Sequence, residues 1–515
     1  MIVRAKTALP QALLVSAVML AALAAFKFGR VPVAEIHSML QDDAFYYLQI
    51  AKNLGLHGAS SFNLLVSTNG YHPLWLSYLT MFYLLTGGTG IEAFVIVTVM
   101  LSAAAFFTLT GKFLQQMGTS AYWSKVGGLG SSVVFIWLAR TGMEVVLTLP
   151  LSLWLGLIIA RGHVSSRPKS AFLAGLASSA VVLSRLDAAI LVALMIGAYF
   201  GATFFLKREE IRRSALLAYC VGVTPILAYF VCNLVFFGTL LPVSGQAKQL
   251  NSGLNWSSRT FVSLLSPSGI QMPVWGAALL VLIGITIAVA AMYWSVKSRV
   301  FSPAEMSVLF GMIFFPVVYY VYLSTASDWK IWPWYRYPLL LTFLAVTAAV
   351  TTLPGRRIVV MASLRIRAAT YAVLSMILVI AGFVLGNKQP NAPIVRIGER
   401  LSEFQTDHQG IYAMGDAAGT FGYYSTQPIV HLEGLVMDKD FLENIASQRD
   451  AVEVMREYNV SFYVGNNLRE SNGCFEVVEP KQGGDKSRKM TGILCKQPML
   501  SFSEGSYSIK VFKLQ

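Results

Sequence analysis

The chain has 515 residues, of which 55% are hydrophobic and only 13% charged, with mean hydropathy +0.58. A soluble domain carries about 25% charged residues, so this balance excludes an ordinary soluble protein and indicates an integral membrane protein. The net charge of +14 does not indicate nucleic acid: the basic residues sit mostly in short loops between apolar runs, where they report topology, and no nucleic-acid-binding motif accompanies them.

Apolar runs long enough to span a bilayer as helices recur from residue 8 to residue 386. Arg4 and Lys6 precede the first, 9–28, and place the N-terminus in the cytoplasm. Ala21 to Ala25 would also suit signal-peptide cleavage, but the long run reads better as an anchor. Further spans are expected near 91–111, 121–139, 145–160, 170–184, 188–206, 214–236, 273–296, 304–324, 337–353 and 368–386. Segment 72–87 is short, opens with His-Pro and ends at Gly87-Gly88, so it reads as a helix lying along the membrane face.

This gives about eleven transmembrane helices in residues 1–386, with a first external loop at 29–90. Residues 387–515 lose the apolar runs and form a C-terminal soluble α/β domain. Alternate loops then hold Lys112, Lys125, Arg161, Arg167, Lys169, Lys207, Arg208, Arg212, Arg213, Lys297, Arg299, Arg356, Arg357, Arg365 and Arg367, which marks them as cytoplasmic. The C-terminal domain is expected outside, in the periplasm of a bacterial plasma (inner) membrane.

With that topology the unusual polar clusters fall on the external side. They are Asp42-Asp43, Thr68-Asn69-Gly70-Tyr71-His72, Arg140 to Glu144, Ser184-Arg185-Leu186-Asp187, Leu241 to Lys248, and Asp328 to Tyr337. Charged groups near membrane depth are costly and usually functional.

Two adjacent carboxylates, Asp42 and Asp43, repel and raise one proton affinity unless a cation is near. Beside an apolar surface such an acid suits general-base work. The plainer alternative is a helix cap, with Asp43 opening a helix that runs to Leu54 and Phe45-Tyr46-Tyr47 resting in the membrane interface. Thr68 to Pro73 reads as a turn delivering Tyr71 and His72. Arg140 with Glu144, and Arg185 with Asp187, could each be a local ion pair. Lys248 follows a Pro-Val-Ser-Gly turn and Arg336 sits within Trp332 to Tyr337. Cations amid aromatics at the lipid boundary suit a phosphate carried on a lipid.

Several chemistries lack their motifs. There is no phosphate-binding P-loop, and Gly127 to Gly130 lies inside an apolar span. No nucleophile elbow surrounds Gly142, and no zinc motif is present. Cys220 and Cys232 share one span and read as packing residues. Cys474 and Cys495 both fall in the external domain, where a disulfide would close a loop of about 20 residues and stabilise by roughly 3 kcal/mol.

The acid pair in Asp-Asp-Ala-Phe-Tyr-Tyr, the later Asn-Gly-Tyr-His-Pro-Leu-Trp, and Gly-Met-Glu after a subsequent span resemble the GT-C superfamily of integral membrane glycosyltransferases. The nearest branches are the arabinofuranosyltransferase-like and protein mannosyltransferase-like ones. The resemblance covers the membrane domain. It implies a polyprenyl-phosphate-linked sugar donor, an acceptor hydroxyl on a cell-envelope glycan, lipid or protein, and inversion at the anomeric carbon.

Within this resemblance Asp42 is the expected general base, with Asp43 as orienting or metal partner. His72, Lys248 and Arg336 are expected on the donor phosphate, and Tyr71, Asn69, Glu144 and Arg185 around the sugar. A divalent cation (Mg, Mn or Ca) at Asp42 and Asp43 is left open. Segments 411–419 and 431–435 are expected as strand, loop and strand beside the cavity. No Trp-Trp-Asp stretch occurs, which argues against whole-glycan transfer to asparagine. The competing readings are a lipid-linked-sugar flippase or transporter, and a transferase of phosphoethanolamine or acyl groups.

Overall fold

The computed structural model describes residues 40–205, 211–251, 253, 256–265, 276, 286, 289, 293, 300–352, 392–505 and 507–515. The expected spans at 9–28 and 368–386, and nearly all of the one at 273–296, lie outside the described residues.

Helices occupy every other expected segment. Helix α1 (Asp42–His57) and α2 (Pro73–Thr86) come first, then α3 (Ile91–Gln116), α4 (Ala121–Ala139), α5 (Val145–Ala160) and α6 (Pro168–Ser184). They are followed by α7 (Ala189–Phe205), α8 (Arg213–Phe237), the short α9 (Val243–Ala247), α10 (Ser258–Leu265), α11 (Pro303–Ala326) and α12 (Tyr337–Thr352). Among the described residues, four stretches are long and apolar enough to cross a membrane: Ala93–Gln116, Leu186–Phe205, Arg213–Phe237 and Pro303–Ala326. The protein is thus a helical membrane protein with a strand-containing C-terminal region.

Small residues let these helices approach closely where no hydrophobic effect drives them together. On α6 and α8, Gly175 and Gly222 face each other, and a side chain on either would strike the partner backbone. Ser179 Oγ donates to the Gly222 carbonyl at 2.9 Å across the same seam. Helix α11 starts with a capping box, Ser302 with Glu305.

Helix α1 begins at Asp42, with Gln41 as its N-cap, so Asp43 lies inside the first turn and is not the cap. Two acids in that turn complement the helix dipole. The helix ends at Gly58, whose φ of 68° is the left-handed conformation glycine favours. Phe45, Tyr46 and Tyr47 are buried inside the protein and not laid in the lipid interface. Phe45 packs against Tyr423 at 5.4 Å and Tyr46 against Phe62 at 5.6 Å, ring centre to ring centre.

The C-terminal region contains α13 (Ala392–Asp407), β1 (Ile411–Met414), α14 (Ala418–Tyr424), β2 (Ile429–His431), α15 (Lys439–Ala446) and α16 (Ala451–Glu457). Strands β3 (Val460–Asn466), β4 (Arg469–Ser471), β5 (Cys474–Glu479), β6 (Met490–Leu494), β7 (Leu500–Glu504) and β8 (Tyr507–Lys513) complete it. The main sheet runs β2-β1-β3-β8-β7, parallel at β2-β1-β3 and antiparallel from β8 onward. Strands β4, β5 and β6 form a second, antiparallel sheet. Cys474 and Cys495 are joined in a disulfide that staples β5 to the end of β6. The expected strand–loop–strand at 411–435 contains a helix: Ala418 to Tyr424 pack their small and aromatic faces onto α1, so the link between β1 and β2 is α14.

This region sits on the membrane helices at two places. On one side, α14 and the segment after β2 rest on α1 and the 60–70 loop, where Thr68 Oγ1 donates to the Met437 carbonyl at 2.8 Å and Asn63 Nδ2 to the Ile429 carbonyl at 3.2 Å. On the other, segment 482–488 pairs with the loops after α9 and α11. There the Lys486 N–H donates to Asp328 Oδ2 at 3.0 Å, and Ser257 Oγ donates to Asp328 Oδ1 at 2.6 Å.

Candidate active site

The start of α5, the ends of α6 and α8, and the start of α12 all lie at one end of the helical bundle. Together with α1 and the C-terminal region they line a cavity of about 50 Å³. Its functional lining is Asp43, Tyr71, His72, Glu144, Arg185 and Lys248, with Trp334 and Tyr335 at one wall and Leu435 and Val436 from the C-terminal region above.

Asp43 faces the cavity. Burial pushes its carboxyl above the usual carboxylate range; Lys248 pulls the other way, while Glu144 and Asp416 add to the rise. Lys248 donates from Nζ to Tyr335 Oη at 3.0 Å and lies over the Tyr335 ring at 5.6 Å. Burial disfavours its charge, but Tyr335 and Asp43 outweigh that and hold the ammonium above its ordinary pKa. It makes no ion pair with any described residue.

His72 is the N-cap of α2 and its Nδ1 accepts the Leu186 N–H at 3.2 Å. Burial lowers its pKa, with Glu144 opposing. A neutral ring with Nδ1 accepting carries its hydrogen on Nε2. That atom lies 3.8 Å from Glu144 Oε1.

Glu144 is 1% exposed and pairs with Arg185 from the end of α6. Arg185 is also paired at 2.9 Å with Asp187, whose other oxygen accepts the Tyr319 hydroxyl at 2.7 Å. Arg185 further lies over the Tyr335 and Tyr337 rings at 4.8 and 5.0 Å. The Arg185–Asp187 pair is local, as its spacing suggests, whereas Glu144 pairs across to Arg185 and not with Arg140. The second oxygen, Glu144 Oε2, is buried without a hydrogen-bond partner, so the network leaves one acceptor in the cavity wall.

Three expected site residues have other surroundings. Asp42 turns to α14: its Oδ1 accepts the Thr420 N–H at 2.7 Å and the Thr420 hydroxyl at 2.8 Å, and its Oδ2 accepts the Gly419 N–H at 3.3 Å. Consecutive helical residues point about 100° apart, so one acid serves the domain contact and the other the cavity. Burial raises the Asp42 pKa to about 6 in spite of these donors. Asn69 is buried as a brace, with Oδ1 accepting the Val243 N–H at 3.0 Å. Arg336 lies in the turn Pro333–Arg336 and donates to the Ser263 carbonyl at 2.8 Å; it does not line the cavity. Tyr71 does line it, with Oη 2.8 Å from Ser60 Oγ.

Among the described residues no three His, Cys, Asp or Glu side chains converge to hold a metal ion. Asp42 and Asp43 are directed to different surroundings, Asp42 to Thr420 and Asp43 to the cavity. Sequence reasoning passed over Tyr46, whose hydroxyl lies 2.9 Å from His431 Nε2, and the buried carboxyls Glu433 and Glu479 beside Asp416. That second group comes together from the ends of β1, β2 and β5, which are far apart in the sequence.

No protein-family model matches the chain, and no curated protein matches it.

Proposed function

We propose that the protein is a membrane glycosyltransferase of the GT-C type, moving a monosaccharide from a polyprenyl-phosphate donor to a cell-envelope acceptor hydroxyl. The observation that carries this reading is one cavity lined by a carboxylate of raised pKa, Asp43, together with a cation, Lys248, that forms no ion pair with any described residue. In this reading Asp43, not Asp42, is the general base. It takes the proton of the acceptor hydroxyl as that oxygen bonds the anomeric carbon. The bond from that carbon to the phosphate oxygen breaks, and the sugar inverts. Lys248 and the His72 Nε2–H receive the charge that develops on the departing phosphate. Glu144 Oε2 accepts a sugar hydroxyl, and Arg185 holds Glu144 in place.

In the same reading the chain crosses a plasma membrane about eleven times, with the cavity and residues 387–515 on the periplasmic side. The decisive experiment offers the purified protein, in lipid nanodiscs, a panel of radiolabelled polyprenyl-phosphate monosaccharides with total cell-envelope acceptor, with and without EDTA. Label moving from one donor, and lost in Asp43→Asn, supports the proposal. No transfer from any donor by folded protein refutes it and leaves a lipid-linked-sugar flippase as the better reading.

A further inference from the structure

A second groove, of about 330 Å³, lies beside the candidate active site. It is lined by Leu65, Val66, Phe236, Phe237 and Val243, with Thr68, Asn69 and Lys439 among its polar residues. Phe236 and Phe237 are the last residues of α8, one of the four helices apolar enough to cross a membrane. The groove therefore opens at the level where a bilayer ends. Leu65 and Phe236 are 42% and 73% exposed, and Leu234, Val235, Leu240 and Leu241 extend the exposed apolar surface around them.

Two features distinguish this groove from a plain lipid-facing wall. The first is its partition from the catalytic cavity, which is one backbone thick. Asn69 and Val243 face the groove, while the next residues, Gly70 and Ser244, face the cavity. The Asn69–Val243 hydrogen bond closes that partition, and Gly70 lies so near the Leu435 carbonyl that a Cβ would strike it. The second feature is a polar end. Asn69 is fully buried and is one of the groove's lining residues, and its Nδ2 has no hydrogen-bond acceptor among the described residues. An unpaired buried amide donor is costly, and a ligand oxygen would satisfy it.

We infer that this groove binds the acyl chain of a lipid-anchored acceptor, with its glycerol or glycosyl oxygens at Asn69 Nδ2 and its saccharide reaching over the partition toward Asp43. This rests on the function proposed above and names the acceptor class. The donor is assigned elsewhere. Its phosphate belongs at Lys248, which is hydrogen-bonded to Tyr335, and so at the Trp334–Tyr335 wall, whose neighbour Trp332 stacks on Trp334 at 5.8 Å and continues the aromatic surface. The groove behind Gly70 is left for the second substrate.

The test uses the full chain in nanodiscs and a glucosyl-diacylglycerol probe carrying a diazirine in one acyl chain. After photolysis the labelled residues are mapped by mass spectrometry. Label is expected within 65–69 and 236–237. It should fall about tenfold in Ser67→Trp and in Leu65→Trp, the loss expected when roughly two methylenes are kept from the groove. Both positions are exposed, so a larger side chain is accommodated without repacking a core. Excess undecaprenyl phosphate should leave the labelling unchanged, and a phosphatidylglycerol with the same diazirine chain should label less.

Displacement by undecaprenyl phosphate would reassign the groove to the donor chain and overturn the inference. Equal labelling by phosphatidylglycerol, or labelling indifferent to both tryptophan variants, would make it an ordinary lipid contact and overturn it too. Labelling needs no turnover, so a protein that labels as expected yet transfers no sugar refutes the proposed function and leaves the groove standing.

Discussion

Replacing each member of the acid pair in turn separates chemistry from domain contact. Asp43→Asn removes the proposed base while keeping size and leaving the Asp42 contacts intact. Loss of a positioned general base costs about two to four decades in rate, or roughly 3–5 kcal/mol of barrier. Asp42→Asn instead acts on the Thr420 and Gly419 donors. A neutral amide accepts these bonds less strongly and presents an N–H₂ to a donor, which weakens the contact by about 1–2 kcal/mol. Other contacts hold the C-terminal region against α1, among them Phe45 with Tyr423 and Tyr46 with His431. The docked population therefore stays near unity, and transfer should drop less than about tenfold, since tenfold already requires 1.4 kcal/mol. Single-turnover transfer in nanodiscs reads the first effect, and limited proteolysis of the C-terminal region reads the second. The assignment fails if Asp42→Asn abolishes transfer with donor binding intact while Asp43→Asn remains active.

Three further outcomes follow from the same geometry. A base must be ionised to act, so transfer should rise with pH along an acid limb placed above the ordinary carboxylate range; Lys248→Met removes the charge that opposes that rise and should move the limb to still higher pH, while raising the donor KM about tenfold or more through the lost charge-assisted contact. Arg185→Met strands Glu144 and Asp187 as buried acids and should destabilise the detergent-solubilised protein by about 3–5 kcal/mol in thermal unfolding; an unchanged melting temperature would contradict the network. Gly70→Ala drives a methyl into the Leu435 carbonyl and should lift the cavity roof, seen as faster protease cleavage within 431–437 than in the parent chain.

Composition and loop charge were enough to reveal a helical membrane protein, because span length and charge are local properties of the chain. Helices at 145–160 and near 168–184, 189–205 and 303–326 were legible for that reason. Of the polar clusters, Asp43, Tyr71, His72, Glu144, Arg185 and Lys248 converge on one cavity. What the order of residues could not show is which way a side chain turns. Asp42 and Asp43 are equivalent in a string; one residue of helical rotation sends the first to Thr420. Arg336, chosen for its aromatic neighbours, follows the turn at 333–336 toward Ser263. Phe45 and Tyr46 looked like interface aromatics because Tyr423 and His431, against which they pack, are almost 400 residues away. The helix Ala418–Tyr424 was missed because a short, glycine-containing segment has little intrinsic helicity and depends on α1 for its packing.

The roof over the cavity, Leu435 and Val436, is encoded more than 180 residues after Lys248 in its wall. A ribosome delivers these parts in order, so the charged floor exists for many seconds before its cover, at about 5–20 residues per second. Until the last strand, β8, joins β3 from the very end of the chain, the sheet that carries the roof is incomplete. A prematurely terminated product would thus display Asp43 and Lys248 to solvent without the enclosure that gives them their altered proton affinities.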